Sequence, residues 1–189
     1  GLGNPGPRFR GSRHNVGFQV IERFAEMFNA SIRKAFLRQF RQSRVRGTET
    51  TLVLIQPLTY MNRSGTVLPT LLAKHRIPPE RCIIATDNMD LPVGTVRMKR
   101  GGGRSTHNGL KSVISELGTT EFPRLYVGVG RPAPGVSVVD HVLSQFSDTE
   151  ASIVSGAVER AVSSLATLAD TDSLEAALKT ANEAENGTT

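Results

Sequence analysis

The first seventeen residues, GLGNPGPRFRGSRHNVG, combine permanent positive charge with a side chain that can transfer protons near neutral pH. Three arginines supply the charge, and His14 belongs to the residue type that titrates closest to neutrality. Asn4 and Asn15 add amide donors and acceptors. The glycines and prolines between them favour an irregular loop whose backbone can approach a ligand closely. Together these residues indicate a proton-transfer site for an anionic substrate.

The same stretch also fits a different motif, because GLGNPG matches the G-x-G-x-x-G fingerprint of dinucleotide-binding proteins. That fingerprint needs a strand before it and a helix that begins inside it. Pro5 and the run through Arg13 delay any helix until about Asn15, too late for a helix N-terminus to meet a pyrophosphate. The sequence therefore disfavours a nicotinamide cofactor.

Three further polar clusters lie beside apolar segments: Tyr60 with Asn62, Asp87 with Asp90, and His107 with Asn108. A carboxylate bonded to one nitrogen of His14 would set its tautomer and raise its basicity, so that the other nitrogen can take a proton from water. Asparagine amides can hold a carbonyl and the oxyanion that develops on it. If the fold brings these clusters together, the ensemble suits ester hydrolysis. Each residue alone could instead cap a helix or shape a turn.

Other catalytic classes lack their characteristic patterns. His14, His75, His107 and His141 show no paired ligand spacing, and Cys82 is the single cysteine, so we expect no metal site. The serine-hydrolase elbow G-x-S-x-G is absent, and the loop GGGRST lacks the Gly-Lys-Ser/Thr ending of a nucleotide P-loop. We therefore expect a reaction that uses no metal and no cofactor.

Hydrophobic periodicity divides the chain into helices and strands that would position these residues. Helices are predicted over residues 16–28, 67–74, 108–117, 147–165 and 174–181, and strands over residues 40–46, 51–56, 81–86, 94–99 and 125–129. This order predicts a single-domain α/β fold over residues 1–181, with a twisted, mixed and mostly parallel sheet flanked by helices. Residues 182–189 are expected to form a poorly ordered polar tail.

Within this pattern, the strand over residues 81–86 delivers Asp87 to the carboxyl edge of the sheet, where the sites of open α/β folds collect. We expect Asn15 and Asn108 to cap the helices that follow them, and Asn29 to end the first helix in a left-handed conformation. Ser147 and Glu150 form a capping box for the long helix.

The net charge of +6 is unevenly distributed. Residues 1–111 contain nineteen Lys and Arg against six Asp and Glu, whereas residues 112–189 contain four against eleven. Such asymmetry is typical either of a face that binds a polyanion, with nucleic acid the leading candidate, or of a solvated basic surface. The candidate phosphate contacts are the cations around the glycine loop, namely Arg97, Lys99, Arg100 and Arg104.

Cys82 lies in a short apolar run, which indicates packing as a small hydrophobe in a reducing, cytoplasmic compartment. No apolar run is long enough to span a bilayer. We expect a monomer and no membrane association.

The motifs, taken together, are GLGNPG (1–6) with RHNVG (13–17), PLTYMNRSG (57–65), DNMDLPVG (87–94), GGGRSTHNGLKS (101–112) and FPRLYVGVGRP (122–132). In this order and spacing they resemble the bacterial-type peptidyl-tRNA hydrolases, which free tRNA from peptides dropped by stalled ribosomes. The resemblance covers most of the chain. It implies hydrolysis of the ester between the peptide and the ribose at the tRNA 3′ end, without metal or cofactor.

The resemblance also implies roles for individual residues. His14 would be the general base, and Asp87 would stabilise its reactive form. Asn4 would distinguish peptidyl-tRNA from free aminoacyl-tRNA, and Asn62 and Asn108 would hold the peptide carbonyl and the terminal adenosine region. The aromatic residues of the substrate channel would be Phe9 and Tyr60, and Lys99 would contact the tRNA phosphates.

The chain departs from the family pattern at several positions. Arg104, Ser105 and Thr106 replace smaller residues and should stiffen the loop before His107. Tyr126 replaces the second cation of an Arg-x-Arg pair, which leaves Lys99 and Arg124 as candidate contacts for the tRNA 5′ phosphate. Phe9 replaces a tyrosine, and we expect a strand to precede Gly1, as in the family. These departures leave an alternative function, an RNA-binding scaffold similar to a plant organellar splicing factor of this fold.

Overall fold

The computed structural model describes residues 1–34 and 38–183, and strands and helices intermix along the first two thirds of that length. The strands are β1 (Arg33–Lys34), β2 (Phe40–Arg46), β3 (Thr51–Pro57), β4 (Ile84–Asn88), β5 (Val96–Lys99) and β6 (Arg124–Gly128). The helices are α1 (Val16–Met27), α2 (Leu68–His75), α3 (Asn108–Leu117), α4 (Val138–Leu143), α5 (Asp148–Thr171) and α6 (Leu174–Glu183).

The described strands form two small mixed and antiparallel sheets flanked by helices, which confirms the α/β class. One sheet has the order β1-β2-β3 and is antiparallel throughout. The other has the order β4-β6-β5, in which β4 and β6 are parallel and β5 is antiparallel to β6. The expectation of a mostly parallel sheet is therefore wrong, because the short turn near Gly47 reverses the chain into a hairpin and only β4 and β6 run side by side.

The opening residues connect the two sheets. The Gly1 nitrogen donates to the Ile55 carbonyl of β3, and the Leu2 N–H donates to the Ala85 carbonyl of β4, both at 2.9 Å. The GLGNPG segment is thereby held against the strand that contains Asp87.

The main hydrophobic core lies between the strands and the pair α1 and α5. Phe24 of α1, Ala157 and Ala161 of α5, and Leu125 and Val127 of β6 are fully buried in it. Small residues on α5, such as Ala157 and Ala161, allow its backbone to approach the sheet closely.

A second cluster supports the other wall of the molecule, where a 3₁₀ helix, Met61–Val67, packs against α3. Leu110, Val113 and Phe122 are buried there. Gly65 lies so close to α3 that a Cβ atom would be 2.3 Å from the Ser112 carbonyl oxygen, so only glycine fits at this crossing.

Several element ends differ from prediction for identifiable reasons. Asn29 ends α1 with a φ of 51°, as expected, and the Ser147–Glu150 capping box of α5 is present. Asn15 precedes α1 but binds Asn4 instead of the helix, as described below. α6 continues through Glu183, because the side chain of Asn182 bonds to both the N–H and the carbonyl of Met98 in β5. The rest of the expected tail, residues 184–189, lies outside the described residues.

None of the described helices is both long and apolar enough to cross a membrane.

Candidate active site

His14 is positioned by contacts with the start of α5. It lies on a 3₁₀ turn, Arg13–Asn15, directly before α1. The Arg13 N–H donates to the Ser144 carbonyl at 3.1 Å, and its guanidinium donates to both carboxylate oxygens of Glu150 at 2.8 Å. Because Glu150 also belongs to the capping box of α5, the arginine is bound to a carboxylate that is itself held in place. The turn that contains His14 is thus anchored by Glu150, which lies 137 positions after Arg13 in the sequence.

Asp87 lies in β4, is 2% exposed, and contacts two imidazoles. Nδ1 of His14 is 3.0 Å from each of its oxygens, and Nε2 of His107 is 2.9 Å from Oδ1. Burial alone would raise the pKa of the Asp87 carboxyl, but the charge attraction and hydrogen bonds of His107 and His14 hold it well below its usual value. The carboxylate is therefore ionised and accepts a hydrogen bond from each ring.

The protonation of His14 follows from this contact. Since an ionised carboxylate can only accept, Nδ1 of His14 must hold the proton that lies between them. In the neutral ring, Nε2 then has the free lone pair, and the ring lines the cleft. This is the tautomer that a general base requires.

His107 has the opposite arrangement. Its Nδ1 accepts from the backbone N–H groups of Gly109 and Leu110 at 3.1 and 3.3 Å, which makes it the N-cap of α3. Nε2 must therefore hold the proton and donate it to Asp87. The cap had been expected at Asn108, and the contact with Asp87 was not predicted. The helix boundary was nevertheless correct, and the residue before it is where a cap would be sought.

Asn4 is held by a short network in which its amide nitrogen has no hydrogen-bond partner among the described residues. The Met61 N–H donates to its Oδ1 at 2.8 Å. Its backbone N–H donates to Oδ1 of Asn15, and Nδ2 of Asn15 donates back to its carbonyl, at 2.8 and 2.9 Å. The Asn4 side chain lines the cleft, and because Oδ1 is occupied, Nδ2 is the group that it offers to a ligand.

These residues surround a cleft of about 1020 Å³. Its walls are formed by Tyr60, Met61, Asn62, residues 88–90, residues 104–108, Leu110, Tyr126 and the apolar side chains Val138, Val139, Val142 and Leu143 of α4. The sequence analysis did not identify α4, although the pattern VVDHVL after Ser137 is typical of a short capped helix. The cleft is large enough for a nucleoside together with part of a peptide.

Six of the eight predicted site residues line this cleft, namely Asn4, His14, Tyr60, Asn62, Asp87 and Asn108. The structure does not bring Phe9 and Lys99 to it. Phe9 is buried, with the Arg8 guanidinium 4.4 Å from its ring centre. Lys99 ends β5, which runs opposite to β4 and β6, so it lies beside Arg124 at the other end of the strands from Asp87.

The cations around the glycine loop are only partly available for phosphate. Arg124 is 2% exposed and donates to the carbonyls of Gly102 and Gly103 at 2.8 and 3.1 Å, so it holds the loop. Arg100 forms an ion pair with Glu175 of α6. The two terminal nitrogens of Arg124 are thus bound within the protein, whereas Nε has no partner among the described residues, and the contact of Arg124 with the tRNA 5′ phosphate stays a prediction.

His14, Asp87 and His107 offer ligand atoms within 4.8 Å of one another, a proximity that the sequence spacing did not predict. A metal-bound histidine normally donates its second ring N–H to an acceptor. Nδ1 of His107 instead accepts from two backbone N–H groups. A metal bound at Nε2 would displace the proton from that nitrogen, so the ring would either move its proton to Nδ1 and lose the helix cap or lose its proton altogether. These hydrogen bonds favour proton transfer over metal binding.

The fold and the cleft define a class of protein, a hydrolase with an α/β fold in which a buried carboxylate orients an imidazole to activate water. The chain belongs to the peptidyl-tRNA hydrolase family, since the model of the family described as Peptidyl-tRNA hydrolase matches residues 1–188. This confirms the resemblance stated above.

Individual relatives agree with the family assignment. The peptidyl-tRNA hydrolase of Symbiobacterium thermophilum is 42% identical over 163 residues, which cover 86% of each chain. That of Halalkalibacterium halodurans is 40% identical over 160 residues, or 84% of this chain and 85% of the other. The crystal structure of peptidyl-tRNA hydrolase from Acinetobacter baumannii has a TM-score of 0.89 at 32% identity, and the match covers 96% of this chain and 92% of that one.

Proposed function

We propose that this protein hydrolyses peptidyl-tRNA with His14 as general base and Asp87 as the residue that orients it. The bond cut is the ester between the C-terminal carbonyl of the peptide and a ribose hydroxyl at the tRNA 3′ end. The observation that supports this most directly is the hydrogen bond of 3.0 Å from Nδ1 of His14 to an ionised, buried Asp87, beside a cleft. The family membership supports the same reaction.

In the reaction, Nε2 of His14 removes a proton from a water molecule as the water oxygen attacks the ester carbonyl. The imidazolium that forms is stabilised by Asp87. When the tetrahedral intermediate collapses, the ribose oxygen leaves and takes the proton from Nε2. The products are a tRNA with an intact 3′ ribose and a peptide carboxylic acid, which releases its proton to water as the carboxylate.

Asn62 and Asn108 are exposed in the cleft wall and can donate to the substrate. We assign them to the peptide carbonyl, the oxyanion and the terminal adenosine region. Tyr60, which is 59% exposed, provides a ring on which a base can stack. The apolar residues of α4 suit the side chains of the peptide.

Asn4 can distinguish blocked from unblocked substrates by its donor character. Its free Nδ2 can donate to the carbonyl of an acylated amino group, as in a peptide. A free α-ammonium group is itself a donor and cannot accept this hydrogen bond. We therefore expect Asn4→Asp, which replaces the donor with an acceptor, to reduce discrimination against unblocked aminoacyl-tRNA.

The proposal is tested by incubating the protein with N-acetylaminoacyl-tRNA and measuring free tRNA. Hydrolysis should fall by about 10²- to 10⁴-fold in His14→Ala, as expected for loss of a general base. Tight RNA binding by the wild-type protein without any cleavage would instead favour the RNA-binding scaffold, which neither the comparisons nor the site geometry supports.

We further propose a cytoplasmic monomer, because the cleft is formed within one chain. Light scattering tests the oligomeric state.

A further inference from the structure

The antiparallel sheet bears a group of cations far from the glycine loop. Residues 27–48 contain no Asp or Glu. They contain six cations, which we call the basic strip: Arg33, Lys34, Arg38, Arg41, Arg44 and Arg46. All six are exposed, and they lie on β1, on β2 and in the segment just before β2.

The basic strip has no carboxylate partner among the described residues, whereas several other arginines do. Arg23, Arg81 and Arg131 each form an ion pair with an acidic residue. Within residues 1–34 and 38–183, no member of the strip forms one. The sheet therefore concentrates positive charge that the described part of the chain does not neutralise.

This concentration of charge opposes folding. Lys34 and Arg41 are directly opposite each other in the β1/β2 pair, where like charges are destabilising. Burial lowers the pKa of His75, and the positive charges of Arg44 in the strip and of the neighbouring Lys74 lower it further. Because successive side chains of a strand point to opposite faces, Lys34 and Arg41 lie on one face of the sheet and Arg44 and Arg46 on the other. Phosphates bound along the strip would reduce the repulsion.

The strip begins next to the cleft. Phe40, the first residue of β2, pairs with Pro57, the last residue of β3, and the Leu58 N–H donates to the Gln39 carbonyl at 2.7 Å. The chain then enters the cleft wall at Tyr60. From this point the seven residues of β2 extend away over roughly 20 Å, at about 3.3 Å per residue.

We propose that the basic strip binds backbone phosphates in the double-helical part of the tRNA whose 3′ end occupies the cleft. This inference rests on the proposed function and adds a second, remote contact surface to it. The strip would supply phosphate contacts in addition to those near the glycine loop, where Arg124 and Arg100 already bind other groups of the protein and position 126 is a tyrosine.

The test compares two substrates of the same chemistry, N-acetylaminoacyl-tRNA and the same N-acetylaminoacyl ester on a single adenosine. In the variant Arg41→Gln/Arg44→Gln/Arg46→Gln, KM for the tRNA substrate should rise at least tenfold, with kcat changed less than twofold. The advantage in kcat/KM of tRNA over the adenosine ester should shrink by the same factor. The slope of log(kcat/KM) against log salt should become shallower by about 2 to 3, close to one unit for each lost phosphate contact.

The matched control is Arg23→Gln/Arg81→Gln/Lys179→Gln, which removes the same charge from exposed positions outside the strip and should leave KM for tRNA unchanged. The variant Arg41→Lys/Arg44→Lys/Arg46→Lys keeps the charge and should restore tight binding. Circular dichroism checks that each variant is folded.

Unchanged KM and salt slope for tRNA in the glutamine variant would overturn the inference, even if the wild-type protein cleaves both substrates. Equal losses in both triple-glutamine variants would also overturn it, because net charge alone would then explain the effect. If the wild-type protein cleaves neither substrate, the proposed function itself is wrong. Loss of binding to other RNA, with tRNA kinetics unchanged, would place a different RNA on the strip.

Discussion

His14 and His107 contact the same carboxylate but present different nitrogens to it. His14 donates from Nδ1 and keeps Nε2 free, whereas His107 donates from Nε2 and uses Nδ1 to cap α3. Because a protonated Nδ1 could not accept from the helix, Nδ1 of His107 caps α3 and Nε2 is its donor to Asp87. The two rings therefore have separate tasks: one transfers the proton and the other helps to hold Asp87 in place.

We expect Asp87→Asn to reduce kcat by about 10²- to 10⁴-fold with less than a threefold change in KM, because the amide no longer enforces the Nδ1–H tautomer of His14. Steady-state kinetics on N-acetylaminoacyl-tRNA measures both parameters. Asp90→Asn is the control, since Asp90 lines the same cleft but pairs with exposed Arg131. A higher KM with kcat retained would show that Asp87 binds substrate instead.

The same carboxylate makes stability depend on acid pH. The pKa of Asp87 is lower in the folded protein than its ordinary value of 3.8, so the unfolded chain binds this proton more readily. Its contribution to stability is complete above that ordinary value and is lost as the pH falls through the lower, folded value. Urea unfolding between about pH 6 and pH 3 should show a steeper acid loss in the wild-type protein than in Asp87→Asn. Parallel curves would contradict the assignment of an ionised Asp87.

At the scale of elements, α3 is coupled to the site through its cap. His107→Asn retains an acceptor for the N-terminal N–H groups but cannot reach Asp87, whereas His107→Ala loses both contacts. The unfolding free energy should fall by about 1 kcal/mol more in the alanine variant than in the asparagine variant. In both, loss of the donor should raise the pKa of the Asp87 carboxyl, which a carboxyl NMR titration measures. Equal stability of the two variants would show that the cap contributes nothing.

The turn that contains His14 is held in a comparable way by α5. Glu150 accepts hydrogen bonds from the Ser147 N–H, the Ser147 hydroxyl and the Arg13 guanidinium. These hydrogen bonds lower the pKa of the Glu150 carboxyl, the Ser147 N–H most of all. The site thus depends on the N-termini of two helices. His107 caps α3 and contacts Asp87, and Glu150 belongs to the capping box of α5 and binds Arg13 beside His14.

At the scale of the whole molecule, positive charge is concentrated in residues 1–111, and we expect it to dominate tRNA binding. For the wild-type protein, log(kcat/KM) on the tRNA substrate should fall steeply and linearly with log salt, because bound phosphates release counterions. The adenosine ester, which lacks a tRNA backbone, should show almost no salt dependence. A flat response with tRNA would mean that phosphates contribute little to binding.

Much of the architecture could be predicted from local pattern. The boundaries of α3, the two strands β2 and β3, the left-handed stop at Asn29 and the capping box of α5 were all predicted correctly. These features depend on residues within a few positions of one another, where periodicity and capping preferences act directly. The direction of β5 relative to β6 was not predictable in this way, because it depends on how distant segments pack.

The sequence by itself determined which residues could perform the chemistry: a histidine in a glycine-rich turn, an acid at the end of a buried strand, and amides in polar loops. The tertiary structure alone decided how they are arranged. It placed His107 on Asp87, turned Arg124 towards the glycine loop, and left Lys99 at the far end of the strands. The physical reason is that helix and turn preferences act over a few residues, whereas the contacts of Asp87 with His107 and His14 join positions 20 and 73 apart and follow from strand direction and packing.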